Sequence, residues 1–320
     1  MSLPLAQPLY DMHCHLGFAE DPASLAEALG ARGVGCWSQT VTPQEYEYLS
    51  GLLGCSAWRD SGECARVPSA LPPLRLGVGL HPWWVPTDAC ECRRQLERME
   101  PLVGAVRWIG EVGLDFARRG IASLEAQEQA FQSVASWCVR SGGKTLSIHA
   151  VGRGAAGRTL DLLQGAGFFA DGSNRAVFHW FSGSSDELVR ARDAGCYFSV
   201  GPRMLQTKRG RAYASQIPES RLLLETDLPP LADGAAATVQ AAMGLPDSVD
   251  LRMPQWSVER SAAFRGEPSE VASTCASETE ADTMAAALVE ALAALSAIRG
   301  AEPSELARII GETSRVVLDC

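Results

Sequence analysis

Short apolar runs alternate with amphipathic stretches along most of this sequence. Runs such as Gly35–Gln39 and Thr145–His149 have the length of buried strands, whereas Leu124–Arg140 has apolar residues at helical spacing. Eight strand–helix units are predicted, with strands that end near His15, Gln39, His81, Gly110, His149, His179, Gly201 and Asp227. This alternation predicts an α/β fold whose parallel strands close into a (β/α)8 TIM barrel; an open doubly wound sheet is the alternative.

The pattern breaks after the last predicted strand. From 231 to 283 acidic residues outnumber arginines, and Ala, Ser and Pro are frequent without a clear period. We interpret this segment as an insertion within a single domain spanning 1–320, either an irregular lid or a partly disordered loop. Trp256 and Phe264 indicate that part of it packs. Two C-terminal helices are predicted to follow, Met284–Ile298 and Pro303–Leu318.

Composition narrows the class of protein. With 46% hydrophobic residues among 320, the chain has ample material for one large core. The net charge of −10 argues against a protein that coats nucleic acid nonspecifically through a basic surface. It does not argue against an enzyme that binds nucleic acid through metal ions and a local basic loop. The cysteines form no Cys-X-X-Cys pair and are expected to be buried hydrophobes.

Nothing in the chain suggests a membrane partner. The start lacks the basic and apolar regions of a signal peptide, and Met284–Ile298 contains Glu290 and is too short to span a bilayer. We therefore expect a cytoplasmic protein; its oligomeric state is left open by the sequence.

All five histidines fall at predicted strand ends. His13 and His15 form a His-X-His pair whose side chains point to the same face of a strand. His81, His149 and His179 follow on the third, fifth and sixth strands. Neutral imidazole is the commonest ligand for transition metals, and barrel active sites lie at the carboxyl ends of strands. The pattern favours a metalloenzyme over five unrelated polar or core histidines.

Two carboxylates complete this set, Glu111 on the fourth strand and Asp227 on the eighth. So many ligands exceed the needs of one ion with an open position, and they fit two divalent ions bridged by one carboxylate. Such a pair can activate water and stabilise the attacking and leaving oxygens of an ester. The residues do not choose between Mg²⁺, Mn²⁺ and Zn²⁺.

Six collinear segments resemble the TatD family of metal-dependent deoxyribonucleases. They are Asp11–His15, Gly79–Pro82, Ile109–Phe116, Ile148–His149, His179–Gly183 and Leu223–Pro229. The resemblance runs from Tyr10 to about Pro230 and resumes in the two final helices. His-X-His alone would be a weak signal, because most amidohydrolase-like barrels share it, whereas the six motifs in order are highly specific.

The resemblance implies two ligand sets that share one carboxylate. The first ion would be bound by His13, His15, Glu111 and Asp227, and the second by Glu111, His149 and His179. It also implies that Asp227 orients or deprotonates the nucleophilic water.

Three further residues have open roles. His81 is a candidate for contact with a substrate phosphate or leaving group, or it supports a ligand or the fold. Glu225 faces the same side as Asp227 and is expected to partner a ligand or a buried group. Asp115 is interpreted as a residue that orders its loop.

Phosphate recognition requires donors beyond the metals. A basic segment after the seventh strand contains Arg203, Lys208, Arg209 and Arg211, which predicts a phosphate-binding loop; a solvated charge run before a helix is the alternative. Ser182 and Gly183 precede a predicted helix and are expected to present backbone N–H groups to an anion.

The surroundings of the metal ligands differ from the family pattern. Val151 stands where the family usually has arginine, and Trp180 replaces the cysteine that usually follows the histidine. Tryptophans at the strand ends, Trp83, Trp84 and Trp180, either stack on bases or pack the rim.

The leading hypothesis is a two-metal hydrolase of DNA or another phosphodiester, a TatD-like exodeoxyribonuclease. The alternatives are hydrolysis of another ester or amide, such as an aminoacyl ester, lactone or cyclic amide, and a non-catalytic metal-binding adaptor.

Overall fold

The computed structural model describes residues 7–54, 72–230 and 273–319. Within these ranges parallel strands alternate with helices, which confirms the predicted α/β class. The strands are β1 Leu9–Cys14, β2 Val34–Ser38, β3 Leu74–Leu76, β4 Val78–Leu80, β5 Trp108–Asp115, β6 Thr145–Val151, β7 Arg175–His179, β8 Tyr197–Val200 and β9 Leu222–Leu224. The helices are α1 Pro22–Ala31, α2 Pro43–Leu53, α3 Ala89–Ala105, α4 Leu124–Ser141, α5 Ala155–Ala166, α6 Ser185–Asp193, α7 Pro202–Leu205, α8 Lys208–Gln216, α9 Ser273–Arg299 and α10 Pro303–Leu318.

Capping side chains determine where several helices begin. Asp21 accepts a hydrogen bond from Ser24 N (3.0 Å) at the start of α1, and Thr42 accepts one from Glu45 N (3.2 Å) at the start of α2. At α6 the Ser184 hydroxyl accepts from Glu187 N while the Glu187 carboxylate accepts from Ser184 N, a capping box.

The strands form two parallel ladders in chain order, β1–β3 and β4–β9. β3 and β4 are consecutive parts of the strand predicted over Leu74–His81, interrupted at Gly77. A side chain at Gly77 would meet the Gly110 carbonyl at 2.8 Å, so only glycine lets the strands approach this closely.

Two backbone hydrogen bonds connect the outer strands of the two ladders. Asp227 N donates to His13 O (2.9 Å), and His15 N donates to Leu228 O (2.8 Å). In the part of the chain that the structure describes, the ladders do not form a continuous hydrogen-bonded ring. The parallel α/β arrangement is therefore established, and closure of the barrel stays a prediction.

Apolar side chains pack on both sides of the strands. A large core fills the space between strands and helices and includes Phe131 and Phe178. A smaller cluster comes from alternate positions of several strands, among them Tyr10, Met12 and Trp37. Packing from both sides holds the strand ends, and the polar residues on them, in fixed positions.

α9 is longer than the predicted helix, because it begins at Ser273 and not near Met284. The Arg32 guanidinium, at the end of α1, pairs with Glu278 (2.6 Å) and Asp282 (2.8 Å) and fixes this first part of α9. Residues 231–272, which hold most of the predicted insertion with Trp256 and Phe264, lie outside the described residues.

By length and composition alone, Ala276–Arg299 in α9 is able to cross a membrane, contrary to the length estimated from sequence. Some of its apolar residues pack inside the protein, among them Leu288 and Leu295, which are fully buried. The Arg299 guanidinium donates to the carbonyls of Ala214 (2.7 Å) and Ile217 (2.9 Å). These contacts attach one face of the helix to the rest of the fold.

The basic segment predicted as a loop is helical. α7 starts at Pro202, and Thr207 caps α8 by accepting from Gly210 N (2.8 Å). Proline at the first turn and threonine at the cap are ordinary helix-start signals, and here they outweigh the run of charges on which the loop prediction was based.

Candidate metal centre

The carboxyl ends of the strands carry histidines and carboxylates to one buried cluster beside a cavity of about 280 Å³. His13 and His15 come from the end of β1, while Cys14 between them is buried in the core, as strand alternation predicts. The other members come from β5, from β6 and β7, and from the segments after β4 and β9, and they are Glu111, His149, His179, His81 and Asp227. The structure thus brings together all six predicted ligands and His81.

Glu111 lies at the centre of this cluster, and its two oxygens face different histidines. Oε2 is 3.3 Å from His13 Nε2 and 3.4 Å from His15 Nε2. Oε1 is 2.8 Å from both His149 Nδ1 and His179 Nε2. One oxygen directed at each pair of imidazoles would suit a carboxylate shared by two ions.

Asp227 completes the half of the cluster that contains His13 and His15. Its Oδ1 is 3.5 Å from His15 Nε2 and 4.0 Å from His13 Nε2, while its Oδ2 accepts a hydrogen bond from Arg203 Nη1 (3.0 Å). The backbone of Asp227 has φ +57°, a region that aspartate tolerates better than most residues.

The cluster fits divalent metal ions. The ligand atoms of His13, His15 and Asp227 lie within 4.8 Å of one another, and Glu111 Oε1 lies 2.8 Å from the ring nitrogens of His149 and His179. His13 Nε2 is buried and makes no well-aligned hydrogen bond within the described residues, although Glu111 Oε2 is near. Separations of about 3–4 Å between ligand atoms are expected around an ion with bonds near 2.1 Å.

Asp115 orients His149. Its Oδ2 lies 3.2 Å from His149 Nε2, so the proton of a neutral imidazole belongs on Nε2 and the lone pair of Nδ1 faces Glu111. Asp115 also accepts from Trp83 Nε1 (2.6 Å) and from two backbone N–H groups of the following loop. The loop-ordering role expected from sequence is present, and the contact with His149 is an addition that was not predicted.

Two more supports of the ligands were missed. Ser147 Oγ lies 2.8 Å from His13 Nδ1. The Asp11 carboxylate accepts from the backbone N–H of His13 (3.3 Å) and from the N–H (3.0 Å) and hydroxyl (2.5 Å) of Thr226. Ser147 and Asp11 each precede a predicted ligand by two positions on the same strand, so strand alternation was the available signal.

His81 is oriented as a hydrogen-bond donor. Its Nδ1 accepts from the backbone N–H of Trp83 (3.1 Å), which leaves the proton of the neutral ring on Nε2, 3.4 Å from Glu111 Oε1. Burial lowers the pKa of His81 to about 4, so the ring is neutral at pH 7. A protonated Nε2 cannot bind a metal, but it can donate to an anionic oxygen in the cavity.

Glu225 is a buried carboxylate next to the predicted ligand His179. It accepts from the backbone N–H of Trp180 (3.1 Å) and from the Ser199 hydroxyl, and its Oε2 is 3.9 Å from His179 Nδ1. Burial raises the pKa of Glu225 well above its usual range. These contacts agree with the expectation that Glu225 partners a ligand or a buried group.

In the metal-free protein, two imidazoles of the cluster have a raised pKa and carry a proton at neutral pH. Burial lowers the pKa of His15 and His149, but the adjacent carboxylates outweigh it and raise their pKa to about 10 and about 9. Burial lowers the pKa of His13 to about 3, with the charge of His179 adding to the effect. Burial raises the pKa of Glu111, but the charges of its imidazole neighbours outweigh it and hold that pKa well below its usual range. Metal binding would displace the stored protons.

Of the four predicted basic residues, only Arg203 lines the cavity. Lys208 and Arg209 are exposed at the start of α8. Arg211 donates from Nη1 to the carbonyls of Leu205 and Gln206 (both 3.0 Å), so it also closes the end of α7.

Ser182 lines the cavity, and its hydroxyl donates to Ala150 O (3.3 Å). The carbonyl of Gly183 accepts from the Tyr213 hydroxyl (2.9 Å), away from the ligands. Trp83, Trp84 and Trp180 all border the cavity.

Comparison with known proteins gives a consistent result. The model of the family described as TatD related DNase matches residues 10–319. The chain is 31% identical over 200 residues to the 3'-5' ssDNA/RNA exonuclease TatD of Dickeya dadantii (strain 3937), covering 60% of this chain and 71% of that protein. It is 29% identical over 123 residues to human Deoxyribonuclease TATDN3, covering 38% of this chain and 43% of that protein.

The fold also has a solved counterpart. A crystal structure of a hydrolase TatD family protein from Entamoeba histolytica matches with a TM-score of 0.64 and 15% identity, and the match covers 97% of this chain and 98% of that one. At this identity the likeness concerns the fold alone.

Proposed function

This chain belongs to the TatD-related DNase family, and we propose that it is a metal-dependent nuclease that hydrolyses phosphodiester bonds of single-stranded DNA or RNA from the 3' end. The observation that carries the proposal is Glu111, whose two carboxylate oxygens face two separate pairs of imidazoles. The substrate and polarity follow the name of the relative from Dickeya dadantii.

We propose that the strands close into a (β/α)8 barrel. The two hydrogen bonds between the end of β1 and the segment after β9 support closure. In a closed barrel all strand ends meet at one rim, which accounts for ligands drawn from β1, β5, β6 and β7.

The ligand sets follow the geometry. His13, His15, Glu111 and Asp227 would hold one divalent ion, and Glu111, His149 and His179 a second. Such ions, when bound, supply Lewis acidity towards the phosphoryl oxygens and lower the pKa of water. Burial raises the pKa of Asp227, but the hydrogen bond to His15 and the charge of Arg203 outweigh it and hold that pKa below the usual range. Asp227 would therefore be ionised and would orient the attacking water or accept its proton, which the ions would make more acidic. His81 would donate from Nε2 to a phosphate or leaving-group oxygen.

The walls of the cavity suit a nucleotide. Trp83 and Trp84 border it with ring centroids 6.0 Å apart, and we propose that Trp83, the more exposed of the two, stacks against a substrate base. Ser182 stays a candidate for a phosphate contact at the wall. Lys208 and Arg209, exposed on α8, would contact the nucleic-acid backbone farther from the ligands.

The test is digestion of 5'-labelled single-stranded DNA and RNA by metal-stripped protein, with Mg²⁺, Mn²⁺ or Zn²⁺ added separately. We expect progressively shortened labelled products that depend on one of the ions. Asp227→Asn should abolish them, whereas Asp193→Asn, at the end of α6 and away from the cavity, should not.

Each outcome has a defined meaning. If the protein binds metal but leaves both nucleic acids intact, the phosphodiester proposal is wrong. Carboxylic and aminoacyl esters would then be the substrates to examine, because the same ligands serve ester hydrolysis.

A further inference from the structure

Arg203 stands out among the residues that line the cavity, because its charge is directed at a predicted ligand. Nη1 donates to Asp227 Oδ2 at 3.0 Å, and both side chains are largely buried, with 18% and 12% of their surface exposed. Asp227 directs its other oxygen, Oδ1, to His15 and His13. A partly buried, charge-assisted hydrogen bond of this kind has a stronger orienting effect than a surface ion pair.

The orientation of Asp227 matters because its carboxylate is able to rotate. The backbone of Asp227 is fixed by the hydrogen bond from its N–H to His13 O (2.9 Å). The carboxylate plane is not fixed by that bond, since the terminal torsion of aspartate is broad. A donor on Oδ2 therefore decides whether Oδ1 faces the two imidazoles.

Trp180 holds Arg203 from another side. The guanidinium carbon lies 5.6 Å from the centroid of the Trp180 ring, within the range of a cation–π contact. The Trp180 backbone has φ +37° and its N–H donates to Glu225 Oε1 (3.1 Å), which fixes the start of the side chain. Trp180 and Asp227 thus contact Arg203 together and define where its guanidinium lies.

We propose that Arg203 is a positioning residue for Asp227, and that Trp180 keeps Arg203 in place. The proposal rests on the proposed function only in taking Asp227 as a metal ligand. It differs from the sequence-based prediction that Arg203 binds a substrate phosphate directly. A substrate-binding arginine would act independently of Asp227, whereas a positioning arginine acts only through it.

A double-mutant cycle separates these two roles without any substrate. Mn²⁺ affinity would be measured by titration calorimetry for the wild-type protein, Arg203→Lys, Asp227→Asn and the double variant. Lysine keeps the positive charge and removes the planar guanidinium, so a change reports geometry and not net charge. We expect Arg203→Lys to weaken Mn²⁺ binding about fivefold when Asp227 is present and less than about twofold in the Asp227→Asn background, since contacting residues are not additive.

A smaller effect of the same kind is expected at Trp180. Trp180→Leu should weaken Mn²⁺ binding by about twofold, and adding it to Arg203→Lys should cause no further loss, because both act through one contact. Arg190→Lys is the matched control, since Arg190 forms an exposed ion pair with Asp161 (2.6 Å) and does not line the cavity. It should leave the affinity unchanged.

Kinetics on a single-stranded oligonucleotide give the second readout. At saturating Mn²⁺ a positioning role predicts that Arg203→Lys lowers kcat about tenfold with KM nearly unchanged, because the proposed role of Asp227 is towards the attacking water and not in binding the substrate. If KM rises and Mn²⁺ affinity does not change, Arg203 contacts the substrate and the proposal is wrong. Equal weakening in both Asp227 backgrounds also overturns it. A change in Mn²⁺ affinity in a protein that does not cleave nucleic acid would support the positioning role while ending the nuclease proposal.

Discussion

The two halves of the metal centre are supported in different ways. His149 is oriented by Asp115, which is 2% exposed and accepts hydrogen bonds from Trp83 and from its own loop. Asp227 is oriented by Arg203, which is 18% exposed and comes from the four-residue helix α7. Both supports line the cavity, but Asp115 is almost fully buried and is held by several hydrogen bonds, whereas Arg203 is partly exposed and is carried by a short helix. We infer that the His149 half is the more rigid and that the Asp227 half is the one that adapts to substrate.

The largest expected effect comes from the residue that the two halves share. Glu111→Gln removes the charge that faces all four imidazoles of the proposed ligand sets. Loss of the bridging charge should reduce nuclease activity by at least about a thousandfold, equivalent to several kcal/mol of transition-state stabilisation. Activity and Mn²⁺ stoichiometry check this, with Glu128→Gln as the control because Glu128 pairs with Arg158 on the surface. Retention of full stoichiometry and activity would mean that Glu111 does not bridge.

The next change affects one half alone. Asp115→Asn keeps the shape of the side chain but loses the carboxylate that accepts from His149 Nε2. Loss of such a partner typically costs about 10–100-fold in metal affinity or activity. Titration should show one of two sites weakened, with the affinity of the other within about twofold of wild type. Equal weakening of both sites would contradict the view that the halves are supported separately.

The dependence of metal affinity on pH sharpens the same comparison. With pKa values raised to about 10 and about 9, His15 and His149 carry protons in the metal-free protein at neutral pH. Metal binds only neutral imidazole, so binding releases protons and affinity rises with pH, by about tenfold per unit for each proton released. The rise should continue through neutral pH and level off only above the two pKa values, at about pH 9 to 10.

Asp115→Asn offers a direct check of that assignment. Removing the carboxylate removes a cause of the raised pKa of His149, so fewer protons are released and the slope should decrease. Mn²⁺ titrations in two buffers of different ionisation enthalpy count the released protons. An unchanged proton count in Asp115→Asn would show that Asp115 does not determine the protonation of His149.

The gathering of the candidate ligands in one cluster could be predicted from sequence, because each of them lies on a strand or shortly after one. Strand alternation placed His13 and His15 on one face, and parallel strands brought Glu111, His149 and His179 to the same end. Where these residues lie follows from the order and direction of the strands, and it requires little knowledge of side-chain contacts between distant parts of the chain. This is why the structure gathers all of these residues beside one cavity.

The supports could not be predicted in the same way. The contact between Arg203 and Asp227 joins residues 24 positions apart, through a helix that was predicted as a loop. The first part of α9 was missed because its Ser and Thr residues have low helix propensity. Burial of Ala281 and Met284 and the ion pairs of Arg32 outweigh that propensity. Side-chain partners depend on such tertiary contacts, which local pattern does not encode.

The smallest effects are expected from replacing the capping residues of the helices behind each half. Ser123 caps α4 behind Asp115 by accepting from Ala126 N (3.2 Å), and Thr207 caps α8 next to α7 by accepting from Gly210 N (2.8 Å). Replacing either with alanine should lower the free energy of unfolding by about 1 kcal/mol, measured by urea denaturation. Because α7 carries Arg203 and borders the cavity, only Thr207→Ala should also alter Mn²⁺ affinity, by less than about twofold. If Ser123→Ala alters it and Thr207→Ala does not, the Asp115 side is the adaptable half and the comparison must be reversed.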